Sequence, residues 1–192
     1  EGVERIYSST CGRAFETAQH LGELIGLPVI GCDFMREISW GDVDGKPYES
    51  GHPWTIADEM VTRGEPLVDP AWRDHPEFCR NRLLACCDKV AAGADAWLAE
   101  LGYIREGAYY RVQPGAPKTI AAFGHGGETA AMMTHLFNLP FPFACQAIGP
   151  DYTGITIVDF PDRPGELVAP RFGLMNDARH IRGMTVSNFY GA

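Results

Sequence analysis

Residues 7–27 read YSSTCGRAFETAQHLGELIGL, and this stretch decides the fold. A short strand-like run, Arg5 to Ser8, stops at two serines and a threonine. A helical pattern then runs from Cys11 to Gly26. Ala14, Ala18, Leu21 and Ile25 fall near helical spacing, and Gly26-Leu27-Pro28 stops it. Arg13 stands on the first turn of that helix. The helix dipole already makes this end positive, so a cation is unfavourable there unless an anion balances it. The arginine fork suits bidentate contact with a phosphate. The plain alternative is a surface arginine paired with Glu16 or Glu23.

The same strand–turn–helix grammar returns at residues 118–139. Lys118 to Phe123 is a buried-type strand, and GHGGE turns it into the helix TAAMMTHLFNL. In an open α/β sheet, ligands collect outside the carboxyl ends of the strands. Arg13 and His125 can therefore face one crevice. Gly124, Gly126 and Gly127 flank His125, and glycine lets backbone approach a ligand closely. A helix start offers unpaired N–H groups and a positive pole. A histidine there can donate to a phosphate or carry a proton. The alternative is a tight turn whose histidine is incidental.

A third piece, FMREISWGDVDG at residues 34–45, follows a short strand at Pro28–Cys32 and lies in a loop (33–53) rich in Gly, Asp and Pro. Glu37 in such a loop can be tuned as a general acid, with Asp42 and Asp44 helping to hold it protonated. The alternative is a carboxylate paired with Arg36.

The rest of the chain continues the alternation. Helices are expected near 54–63 and 75–101, the second with Phe78, Leu83, Leu84, Val90 and Leu98 as core positions. Tyr109–Val112 reads as a strand or hairpin arm. GITIVDF and ELVAPRFG form a hairpin around PDRPG, and the tail NDARHIRG is polar and arginine-rich. Strands alternating with helices predict one α/β domain over residues 1–192, with a largely parallel sheet and an antiparallel hairpin near the end.

Composition narrows the function. Hydrophobic residues are 45% and charged residues 21%, as in an ordinary globular protein. Net charge is −9, a poor match to sequence-independent nucleic-acid binding, though not to a small-anion pocket. No stretch is long and apolar enough to span a membrane. The six cysteines show no C-x-x-C metal spacing and read as free thiols of a reducing compartment, hence a cytoplasmic location. His125, Glu128 and His135 do not make a zinc site, because residues ten apart on a helix are separated by roughly 15 Å. No metal and no cofactor are expected.

Taken together these pieces resemble the histidine phosphatase superfamily, the phosphoglycerate-mutase-like proteins. YSSTCGRAFETAQHLGELIGLPV is similar to that family's second strand and helix, with its S-S-x-x-x-R-A-x-x-T-A pattern. REISWGDVDGKPYE resembles its acid loop, AAFGHGGETAAMMTHLFNLP its second histidine turn, and RFGLMNDARHI its N-D-x-x-H-[LI] ending. The resemblance implies a three-layer α/β/α sandwich with a mostly parallel sheet. It implies phosphoryl transfer from a small phosphorylated substrate through a phosphohistidine, without metal. It casts Arg13 and the Gly126 backbone as phosphate-binding groups, His125 as the second catalytic histidine and Glu37 as the acid. The acid loop is closer to the phosphatase branch than to the mutase branch.

The family's nucleophilic histidine sits in an R-H-G motif on its first strand, a central one in the sheet. No Arg-His-Gly occurs in the 192 residues, and Arg179-His180 continues with Ile181. The expectation is that the native protein is longer, with the first strand and its helix preceding residue 1. The alternative is a member that binds phosphate without catalysing. Specificity is expected from the loop-rich stretch around 43–80, with Trp54, Arg63, Trp72 and Arg73 lining the pocket.

Overall fold

The computed structural model describes residues 2–117 and 119–181. Strand β1 (Arg5–Ser9) is followed by helix α1 (Gly12–Ile25), strand β2 (Val29–Cys32), and helices α2 (Pro53–Arg63) and α3 (Leu83–Glu100). Strands β3 (Tyr103–Glu106), β4 (Tyr109–Val112) and β5 (Ile120–Phe123) lead to helices α4 (Gly126–Phe137) and α5 (Phe141–Ala147). Strands β6 (Ile155–Asp159), β7 (Leu167–Val168) and β8 (Arg171–Asp177) close the chain.

β1 is the middle strand of a parallel sheet ordered β2-β1-β5, with Ser8 opposite both Gly31 and Phe123. Parallel pairing sends all three carboxyl ends to one edge of the sheet. The turns carrying Arg13, Glu37 and His125 all leave from that edge. Among the described residues β5 pairs on one side only, with β1, and β6 on one side only, with β8. β3, β4 and β7 form a separate antiparallel sheet.

The helix α1 buries Ala14, Ala18 and Gly22 rather than the row expected through Leu21 and Ile25. Gly22 allows the closer seat: a Cβ there would lie 2.7 Å from the Leu27 carbonyl oxygen and 3.3 Å from Val29 Cγ2. Tilting the helix onto this small-residue stripe turns Ile25 outward, 40% exposed. The main core lies on the other side, where Phe78, Leu83, Val90, Leu98, Tyr110, Ala130, Leu136 and Phe141 pack together.

Two expected elements differ, and one is new. Residues 75–82 are turns, not the start of α3. Asn81 breaks the run by spending its side chain locally: its Oδ1 accepts the Leu83 amide at 3.1 Å and its Nδ2 donates to the Gly51 carbonyl at 2.8 Å. The terminal hairpin pairs GITIVDF with RFGLMND rather than with ELV. Leu167 and Val168 bond instead to β4, where Val168 is buried, and Pro170 separates them from β8. The helix α5 is the new element. It forms because Leu-Pro-Phe-Pro places a proline in its first turn, where a missing N–H costs nothing. Of the polar tail, residues up to Ile181 are described, while Arg182 and Gly183 lie outside, as does Lys118.

Candidate active site

Two helix starts converge on the carboxyl ends of β1 and β5. α1 begins after Cys11, which has no side-chain cap, and its first turn holds no acid. Its positive pole is thus left to its surroundings. Arg13 extends from that turn, 67% exposed, with its guanidinium 3.9 Å from Glu37. Among the described residues the conflict between Arg13 and the dipole is met by this long, water-exposed ion pair, which is weak. Neither Glu16 nor Glu23 is its partner.

α4 begins after His125, whose backbone is extended and whose ring is buried. His125 Nε2 lies 2.9 Å from Ser9 Oγ, and Ser9 Oγ accepts the Cys11 amide at 3.1 Å. The imidazole of one turn is thereby tied to the helix start of the other. Burial first, then the charges of Arg13 and Arg36, push the imidazole down to about 4, so it is neutral at pH 7. Gly126 is the first residue of α4; a Cβ there would reach Pro150 Cγ at 3.4 Å, an ordinary contact.

Glu37 leaves the turn after β2 and points to the start of α4. Its Oε1 accepts the amides of Ile38 at 3.0 Å and Glu128 at 3.1 Å. A Cβ on Gly127 would stand 2.5 Å from Ile38 Cγ1 and 2.8 Å from Glu37 Oε1, so only glycine lets the acid loop seat on α4. Arg36, the alternative partner for Glu37, donates instead to Thr10 Oγ1 at 3.1 Å. Asp42 and Asp44 also face away. Both pair with Arg80, and the Asp44 amide with that guanidinium holds the Asp42 carboxyl below its ordinary range. Their ion pairs with Arg80 rivet the loop instead of bearing on Glu37, and Arg82 adds bonds to the carbonyls of Asp42, Val43 and Gly45.

The structure therefore brings Arg13, Glu37, His125 and Gly126 to one end of the parallel sheet. The four residues expected to line a specificity pocket lie elsewhere. Trp54 and Trp72 are buried against Phe141, with ring centroids 5.9 and 6.1 Å away. Arg63 pairs with Glu65 and Glu77, and Arg73 with Asp88. Apolar rings and fully paired arginines are drawn into packing and surface ion pairs. Conversely, Ser9 and Arg36 join the same sheet end although the sequence gives neither a site role. The signal for Ser9 was present in the paired serines that end β1, at the carboxyl edge where a hydroxyl can reach a ligand-facing turn. Glu128, excluded as a zinc ligand by its spacing, is buried under the His125 turn. His135, at the far end of α4, bonds Asp95 at 2.7 Å.

The sequence model of the histidine phosphatase superfamily (branch 1) matches residues 1–99, a span that holds Arg13 and Glu37. Among solved structures, a mycobacterial hydrolase aligns at 27% identity with a TM-score of 0.54, over 91% of this chain and 70% of its own. A mycobacterial glucosyl-3-phosphoglycerate phosphatase aligns at 21% identity and TM-score 0.55, over 91% of this chain and 77% of its own. The alpha-ribazole phosphatase of Shigella flexneri does so at 14% and 0.53, over 92% and 74%. At such identities the last two show a shared mixed α/β fold. No curated protein matches the chain. Among the described residues no helix is long and apolar enough to cross a membrane.

Proposed function

The chain belongs to the histidine phosphatase superfamily, and from that membership we propose that it hydrolyses a small phosphomonoester without metal, through a phosphohistidine. The observation that carries the reading is the convergence of a neutral His125, the Arg13 guanidinium and Glu37 on two helix starts at the edge of one parallel sheet. Two positive poles and an arginine fork favour a phosphoryl dianion.

In this reading the nucleophilic histidine comes from outside the 192 residues, since no Arg-His-Gly occurs within them. β5, which carries the His125 turn, keeps one edge without a strand among the described residues, room for the strand that the reading calls for. The nucleophile's ring nitrogen attacks phosphorus as the ester P–O bond breaks. Glu37 gives its proton to the leaving oxygen. Glu37 then takes a proton from water, whose oxygen attacks the phosphohistidine; the N–P bond breaks and phosphate leaves. Arg13, His125 and the Gly126 amide hold the equatorial oxygens throughout.

A second reading has its own support in the absence of Arg-His-Gly: a member that binds phosphate and does not turn over. One experiment separates them. The intact protein, its mass determined, is assayed on p-nitrophenyl phosphate with excess chelator. Activity that survives chelator and falls at least about a hundredfold in His125→Ala or Arg13→Ala supports the phosphatase. Phosphate binding lost in both variants, with no turnover by the intact protein, supports the second reading.

A further inference from the structure

We propose that Glu128 is a positioning residue of this site that works as a neutral acid, holding the His125 amide while keeping a second negative charge away from Glu37 and the phosphoryl group. The inference rests on the phosphatase reading.

Glu128 is the third residue of α4 and 1% exposed. Its Oε2 accepts the His125 amide at a long 3.5 Å, and the Thr129 hydroxyl also bonds the carboxyl group. Its Oε1 meets no hydrogen-bond partner among the described residues. Gly124 makes the room, since a Cβ there would run into Oε2. The charged side chain facing it is Glu37, whose Oε1 accepts the amide of Glu128 itself at 3.1 Å. Arg13 and Arg36 act on the His125 ring instead.

A helix start favours a carboxylate at this position, but by less than burial of a half-satisfied charge costs. Two like-charged carboxyls at one turn cannot both ionise readily. Burial first, and the charge of Glu37, push the Glu128 carboxyl up to about 8, against the pull of the His125 amide and Thr129. The neutral acid can hold the turn; the ionised form would set a charge of the wrong sign behind a phosphate site. The residue thus joins His125, Glu37 and α4 in one unit: its amide serves Glu37, and its side chain serves the amide of His125.

The test compares the intact wild-type protein with Glu128→Gln, which keeps the shape and cannot ionise, and Glu128→Ala, which removes the contacts. With p-nitrophenyl phosphate, wild-type kcat/KM is expected to fall about tenfold per pH unit above about 8, and Glu128→Gln to lack that limb. Glu128→Ala lowers the plateau, and glutamine recovers most of that loss. Thermal stability supplies a readout free of activity. Between pH 6.5 and about 8 the folded chain keeps a proton that the unfolded chain has released, so wild-type Tm declines with rising pH and Glu128→Gln flattens the decline. Glu128→Gln falling to the alanine level, or keeping both limb and slope, overturns the proposal. A wild-type protein with no turnover removes the phosphatase reading and the positioning role with it, while the stability slopes still decide whether Glu128 is neutral.

Discussion

His125 Nε2 and Ser9 Oγ meet at 2.9 Å across the ends of two adjacent parallel strands. Ser9 is fully buried and also accepts the Cys11 amide, so one hydroxyl sets the distance between the histidine turn and the start of α1. Ser9→Ala leaves both the imidazole nitrogen and the amide without this partner. The loss of a buried hydrogen bond of about 1–1.5 kcal/mol corresponds to roughly a tenfold drop in kcat/KM and a similar weakening of phosphate binding. Steady-state kinetics and calorimetry check both; equal values for the variant and the wild type would remove Ser9 from the site.

Phosphate binding is expected to draw a proton onto His125. The His125 imidazole sits at about 4 because it is buried and faces Arg13 and Arg36. A dianion between those guanidinium groups cancels their field and favours the imidazolium, so the pKa rises on binding. Below neutral pH inorganic phosphate is mostly the monoanion and gives up its own proton as it binds as the dianion, so calorimetric titrations in two buffers of different ionisation enthalpy should show less net proton release for the wild type than for His125→Gln. Without ligand the sign of the stability effect is fixed. The folded pKa lies below the ordinary 6.5, so the unfolded chain binds the proton first and stability is lost as pH falls from 6.5 through about 4. Phosphate should oppose that loss.

How much of this was legible follows from where each signal resides. β1, α1, β5 and α4 were readable because a period-two run, a polar turn and a helical period follow one another within twenty residues, and local pattern is enough. The site residues Arg13, Glu37, His125 and Gly126 were readable as candidates because each follows a strand's carboxyl end, and the parallel topology gathers those ends. What was hidden depends on contacts distant in sequence. Arg80, 38 residues from Asp42, turns the acid loop's aspartates away from Glu37. Val168 leaves its expected hairpin for β4 because a buried place is available there. Glu128 looks like an ordinary helix-start acid until the fold covers it. No window of sequence around these residues contains the partner that decides them.

The seat of Glu37 rests on the missing side chain of Gly127. A methyl group there would overlap the Ile38 side chain and Glu37 Oε1 at once, at 2.5 and 2.8 Å. Gly127 does not need glycine for its backbone conformation, since it lies within α4 and has no positive φ. In an open helix, Gly→Ala would stabilise by about 0.4–1 kcal/mol. Here overpacking works the other way, at about 1–3 kcal/mol, and it outweighs the propensity gain. Gly127→Ala should therefore lower stability by roughly 1–2 kcal/mol and push the acid loop off α4. Glu37 then loses the Glu128 amide. Because Arg13 stands on α1 and the His125 ring is held by Ser9 rather than by the acid loop, phosphate affinity should fall less than kcat. Denaturant unfolding gives the first quantity, and kcat against phosphate inhibition gives the other two. A more stable Gly127→Ala protein with unchanged kcat would show that the loop does not bear on the start of α4.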